Sequence, residues 1–139
     1  MLCKACNYDP DELYTQVCTF IIKESWPSQN ELSSNLKGRS GFKYRRWRDK
    51  FEKATRPAEE PAQGQRRVWF TRHYGARKRD FDYANLVGGG KPLIDTLVRC
   101  GYFVDDSPKL MIAYYKQEKS KTKEDYITVV IEEKNVILT

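Results

Sequence analysis

Between positions 80 and 106 the chain carries five aspartates (Asp80, Asp82, Asp95, Asp105 and Asp106) and no glutamate, whereas residues 62–79 just before them carry six Lys or Arg and no acid. Carboxylates packed together repel one another and raise the pKa of at least one of them unless a cation relieves the repulsion. A hard divalent ion held by oxygen ligands is the usual relief, which makes Mg²⁺ the expected cofactor, with Mn²⁺ as its substitute. Asp80 and Asp82 are two residues apart, so in a strand, as expected here, they point the same way while Phe81 points opposite. Their Cα atoms are then roughly 6.5 to 7 Å apart, close enough to converge on one ion or to flank a pair. Such an ion activates a water for in-line attack on a phosphodiester and stabilises the leaving oxygen, and Lys91 would add positive charge where the phosphate becomes more anionic. With cations on its flank, the cluster points to a metal-dependent enzyme acting on nucleic acid.

Each of these residues also has a plainer reading. Asp95 faces Lys91 and Arg99 at helical i, i+4 spacings, which describes a solvated ion-pair stripe. Asp105 or Asp106 can shape a turn with Ser107 and Pro108, and Asp80, directly after Arg77, Lys78 and Arg79, can be a surface ion pair. The only histidine, His73, alternates with Trp69 and Thr71 in a strand pattern and reads as a packed or edge residue, which argues against histidine-based acid-base chemistry. Cys3 and Cys6 form a CxxC, but no second pair follows at zinc-finger spacing, so ordinary reduced thiols are expected.

The elements that must bring the acids together follow from periodicity. Residues 14–23 are β-branched and aromatic and read as a strand; Pro27 to Asn30 and the Gly, Ser and Asn cluster after them read as a polar loop. From Gly41 the period changes, placing Tyr44, Trp47, Phe51 and Ala54 on one helical face and Arg45, Arg46 and Arg48 off it. Residues 55–64 are a loop, 66–74 a strand, and Gly88, Gly89 and Gly90 are expected to let the chain turn back sharply. Pro92 suits a first helical turn and Gly101 the position past a helix end. That helix would carry Leu93, Ile94, Leu97 and Val98 on one side and Lys91, Asp95 and Arg99 on the other, and would return Asp105 and Asp106 to the spot occupied by Asp80 and Asp82. Residues 109–115 and 126–131, joined by a Lys-rich turn, look like a hairpin. The whole reads as a single compact α/β (α+β) domain over residues 1–139, a mixed sheet covered by two helices, with 1–12 as a flexible N-terminus.

The formal charge is +6, unevenly spread. Lys37, Arg39, Lys43, Arg45, Arg46 and Arg48 fall in a stretch without acids, and together with Arg66, Arg67, Arg72, Arg77, Lys78 and Arg79 they are expected to hold phosphates, giving position rather than sequence readout. Trp47 could stack on an unpaired base, but its place on the apolar helical face assigns it to core packing. No apolar run approaches the roughly 20 residues that span a bilayer, and the first residues lack the apolar core of a signal peptide. A soluble, intracellular protein is expected, with no membrane partner.

Several parts of the acidic region, taken in order, resemble the RusA family of Holliday junction resolvases: Asp80-Phe81-Asp82, Asn85-Leu86, Lys91, Asp95-Thr96-Leu97, Gly101 and Asp105-Asp106. Pro27-Ser28-Gln29-Asn30 is similar to the Pro-Ser-x-Asn that follows the first strand in that family. The specific similarity spans about residues 79–107. It implies a RusA-like fold, a Mg²⁺ site built on Asp80, Asp82 and Asp106, with Asp105 as the alternative ligand, and Lys91 assisting at the phosphate. It also implies DNA contacts that include Asn30, and a homodimer placing one site on each of two strands of a four-way junction, in the cytoplasm of a bacterial or phage/prophage context. The chain departs from the pattern in placing Tyr83 and Ala84 between Asp82 and Asn85, and extra glycines between Asn85 and Lys91. Lys91 keeps its spacing to Asp95, so the insertion is expected to enlarge a loop and leave the helix in place. The reading is therefore a metal-dependent, structure-selective endodeoxyribonuclease of recombination and repair that resolves junctions by paired hydrolysis. The alternatives are a catalytically inactive branched-DNA-binding or regulatory protein, or a nuclease of flaps or forks.

Overall fold

The computed structural model describes residues 13–33 and 41–135. Its elements run β1 (Tyr14–Ile22), α1 (Gln29–Ser33), α2 (Phe42–Ala54), β2 (Arg66–Tyr74), α3 (Tyr83–Gly89), α4 (Lys91–Arg99), β3 (Met111–Lys119) and β4 (Tyr126–Lys134). The strands form one four-stranded mixed sheet in the order β1-β4-β2-β3, making a single α+β domain. The expected N-terminal flexibility, Cys3, Cys6, Lys37 and Arg39 lie outside the described residues.

The four strands fall where the patterning puts them, but their pairing does not. β3 and β4 are not a hairpin. β3 lies parallel to β2, and β4 is inserted between β1 and β2, antiparallel to both. The connection from β3 to β4 passes over the end of β2, where Ser120 donates from its backbone to the Tyr74 carbonyl and Ala76 to that of Thr122. Gly75 makes the crossing possible, because a Cβ there would run into the Lys123 carbonyl. A parallel pair needs a crossover rather than a tight turn, and α3 with α4 supplies it between β2 and β3.

Alternation sorts the sheet into two faces. Ile22, Val68, Phe70, Ile127, Val129 and Ile131 are buried on the face that meets Phe51 of α2, Leu86 of α3, Leu93 and Leu97 of α4, and Phe103. The opposite face carries Trp69 stacked on Tyr114 at 4.2 Å and His73 stacked on Tyr126 at 4.1 Å. Trp47 packs on Phe51 with ring centroids 5.8 Å apart, as its helical face requires. Helix α4 has the expected stripe, with Leu93, Ile94 and Leu97 buried and Val98 packed against the core. Past its end the Tyr102 N–H bonds back to the Leu97 carbonyl.

The triple glycine is not a loose loop. Gly88 and Gly89 are the last residues of α3, and Gly90 caps it. A Cβ on Gly89 would strike the Pro27 carbonyl, and one on Gly88 the Gln29 side chain. The glycines are thus a packing device: without side chains they let α3 lie directly on the Pro27–Asn30 segment. Trp26 secures the contact by donating its indole N–H to the Leu86 carbonyl at 2.8 Å. No helix among the described residues is long and apolar enough to cross a membrane.

Candidate active site

The acidic segment leaves β2 at Tyr74 and returns over the covered face of the sheet. Asp80 and Asp82 are not in a strand; they stand in an extended stretch leading into α3. Phe81 points inward and packs on the core, which leaves Asp80 and Asp82 on the outer side, as alternation demands. The Tyr74 hydroxyl is hydrogen-bonded to the Asp80 carboxylate, and that bond raises the phenol's pKa. Asp82 is the N-cap of α3, its Oδ1 accepting from the Asn85 N–H at 2.8 Å. Asn85 in turn accepts from the Asn30 backbone N–H through Oδ1 at 3.1 Å, so the two asparagines of the resemblance join α1 to α3.

Lys91 opens α4, where its charge opposes the helix dipole. Its ammonium lies 2.6 Å from Asp106 Oδ2 and 3.0 Å from Asp95 Oδ1. The expected ion pair with Asp95 is present, and so is a longer-range one that periodicity alone did not give. The hydrogen bond and charge of Lys91 hold the Asp106 carboxyl below its usual range. Asp95 moves the other way, raised by partial burial first and by the Asp106 charge second, with Arg99 opposing. Lys91 therefore serves Asp106 more than Asp95, in keeping with the shorter distance. The Asp105 side chain accepts from the Asp106 N–H at 2.8 Å, a bond to the next residue and not to Ser107.

Asp80 and Asp106 border different cavities. The first, about 490 Å³, is lined also by Trp26, Trp47, Lys78 and Asp125, and the second, about 320 Å³, by Tyr44, Arg48, Asp95 and Asp105. No group of three or more His, Cys, Asp or Glu side chains is gathered to hold an ion among the described residues. Carboxylate oxygens are the ligands Mg²⁺ prefers, but Asp80, Asp82 and Asp106 are not gathered into one group, and the cation between Asp95 and Asp106 is the Lys91 ammonium. As arranged, Asp95 and Asp106 share that ammonium, while Asp80 and Asp82 are engaged by Tyr74 and by α3. No protein-family model matches the chain, and no curated protein matches it significantly.

The cations divide sharply. Lys43, Arg45, Arg46, Arg77, Lys78 and Arg79 are exposed and Arg48 partly so, as a phosphate-facing set requires. Lys78 is committed in part, pairing with Asp125. Burial works against the Asp125 charge, but bonds from Lys78, Ser25 and the Gly75 N–H outweigh it and hold that carboxyl low. Arg66, Arg67 and Arg72, in contrast, are only 1 %, 7 % and 4 % exposed. Arg66 donates to Glu133 and to the Tyr102 and Glu60 carbonyls, and Arg67 to Glu132. The expectation that these three hold phosphates is corrected: they are buried and bonded to partners within the fold. Asp125, Tyr74 and Gln117 are the neighbours of the site that patterning missed; none lies in the acidic stretch, and only the sheet order brings them to it.

Proposed function

We propose that this protein is a Mg²⁺-dependent endodeoxyribonuclease that nicks branched DNA, with the four-way junction as its first substrate. The observation that carries the reading is Lys91. A lysine at a helix N-terminus is unfavourable for the helix, so its position is better explained by what it faces, the Asp106 and Asp95 carboxylates. The ordered motif from Asp80 to Asp106 supports the same reading. So does the exposed basic set on α2 and at Arg77 to Arg79, which would hold phosphates by charge.

In this reading Asp80, Asp82 and Asp106 hold Mg²⁺, with Asp105 as the alternative ligand. The ion, when bound, supplies activation of a water and neutralisation of charge at the scissile phosphate. Release of Lys91 from Asp106 frees the carboxylate for that role and leaves the ammonium beside the phosphate, where it stabilises developing negative charge. Asn30 would steady the DNA beside α3, and a homodimer would present one site to each of two strands.

One observation favours a second reading. Asp80, Asp82 and Asp106 are not gathered into one group, which also suits a branched-DNA-binding protein without catalysis. Incubation of the pure protein with end-labelled four-way, forked, flapped and linear DNA, with Mg²⁺ or with chelator, separates the readings. Paired symmetric nicks on the four-way substrate, abolished by chelator, are the expected result. Cutting confined to forks or flaps would change the substrate class, and tight binding with no cutting in Mg²⁺ would establish the second reading.

A further inference from the structure

We infer that Gln117 and Arg72 are positioning residues that fix the direction of Asp80 and Asp82, an inference that rests on the metal-nuclease reading above. Gln117 lies near the end of β3, directly across from Arg72 of β2 in the parallel register. Its side-chain amide does for Phe81 what a neighbouring strand would do: Oε1 accepts from the Phe81 N–H at 3.0 Å, and Nε2 donates to the Phe81 carbonyl at 2.6 Å. Only an amide offers a donor and an acceptor in that pairing. Phe81 thus has both backbone groups satisfied as in a sheet although it belongs to no strand.

Arg72 completes the clamp. Its Nη1 donates to Gln117 Oε1 at 2.8 Å, orienting the amide, and to the Arg79 carbonyl at 3.0 Å. Its guanidinium lies over the Phe81 ring at 3.6 Å and over the Tyr74 ring at 4.6 Å. The residues on both sides of Asp80 are therefore tied to the sheet, one at its carbonyl and one at both backbone groups. With Phe81 held extended and its ring inward, Asp80 and Asp82 have one direction left. The clamp bonds to no carboxylate oxygen; it holds Asp80 through its two chain neighbours, the Arg79 carbonyl and the Phe81 backbone.

The test compares wild type with Gln117→Leu, similar in size but unable to bond, and with Gln117→Glu, which keeps the acceptor and loses the donor at neutral pH. Phe81 amide exchange is read by NMR, and kcat and KM on a four-way junction in Mg²⁺ are read in parallel. In Gln117→Leu, exchange at Phe81 should accelerate about tenfold or more with the loss of its bonds. kcat should fall by about 10- to 100-fold, as expected when reacting groups drift by about an ångström, while KM stays within about twofold. Gln117→Glu should keep the Phe81 N–H protected and fall between wild type and Gln117→Leu in kcat. Unchanged Phe81 exchange, or unchanged kcat with faster exchange, would overturn the positioning role. A wild type that cleaves nothing in Mg²⁺ would instead remove the nuclease reading, and that failure is visible before any substitution is made.

Discussion

Two sets of ion pairs, made from the same residue types, behave differently in this molecule. In the sheet, Arg67 meets Glu132 at 2.9 Å with side-chain exposures of 8 % and 18 %, and the Trp69 indole N–H donates to the same carboxylate. Arg67 leads the interactions that hold the Glu132 carboxyl below its usual range. At the start of α4, Lys91 meets Asp106 at 2.6 Å, but with 55 % and 39 % exposure. The first pair is enclosed by partners and has nowhere else to go. The second is open to solvent and can be exchanged for another cation or an incoming phosphate. Charge by itself does not distinguish an ion pair locked into the fold from one open to exchange; enclosure does.

Breaking the enclosed set should be expensive. Arg66→Ala empties a fully buried site and leaves the Tyr102 and Glu60 carbonyls without their donor, and should cost about 3 kcal/mol or more of folding free energy, measured by urea unfolding. Gly89→Ala should come next, at about 1–3 kcal/mol, because α3 must back away from Pro27 to admit a methyl group. The displaced α3 should also lower cleavage, since Asp82 caps it. Lys91→Ala should change stability by no more than about 1 kcal/mol, as exposed pairs do, yet reduce cleavage strongly. If Lys91→Ala unfolds the protein while Arg66→Ala does not, the comparison is inverted.

Acid should discriminate the regions more finely. The Asp125 and Glu132 carboxyls are both held low in the fold. Their contribution is therefore complete above the ordinary carboxylate values of 3.8 and 4.5 and is lost as pH falls through the lower folded-state values. Asp125→Asn should make unfolding less acid-sensitive below about pH 4. His73 is held below its ordinary 6.5, chiefly by burial against the Glu118 charge, so its neutral form is favoured and protonation opposes folding. As the only histidine it gives one NMR titration, with a midpoint expected under 6.5; a midpoint above 6.5 would show Glu118 prevailing.

The strands, helices α2 and α4, and the Lys91–Asp95 pair were legible because each depends on residues a few positions apart. Strand order was not. Nothing local in the Lys-rich turn before β4 says that it must cross the end of β2, although Gly75, which yields space to Lys123, is the trace of that crossing. The same gap hid the roles of Arg66 and Arg67, whose glutamates are about 65 residues away and become neighbours only in the β2–β4 register. Helix α3 was missed because three glycines read as freedom to turn, when their actual service is close approach to Pro27. Within the candidate site Phe81 packs on the core while Asp80 and Asp82 are exposed, but the strand on which the alternation rested is not there. The side chains that hold this segment come from β2 and β3, and no motif in the acidic stretch announces them.

On the proposed reading Asp80, Asp82 and Asp106 would together grip a divalent cation once Lys91 has left Asp106. Mn²⁺ titration of isotope-labelled protein tests it most directly, by the order in which NMR signals broaden. Signals of Asp80, Asp82 and Asp106 should broaden first and together below one equivalent, and Asp82→Asn, which keeps the α3 cap because asparagine caps as well as aspartate, should suppress the effect at all three. Broadening scattered over other carboxylates, with the Lys91–Asp106 pair intact at saturating Mn²⁺, would contradict it.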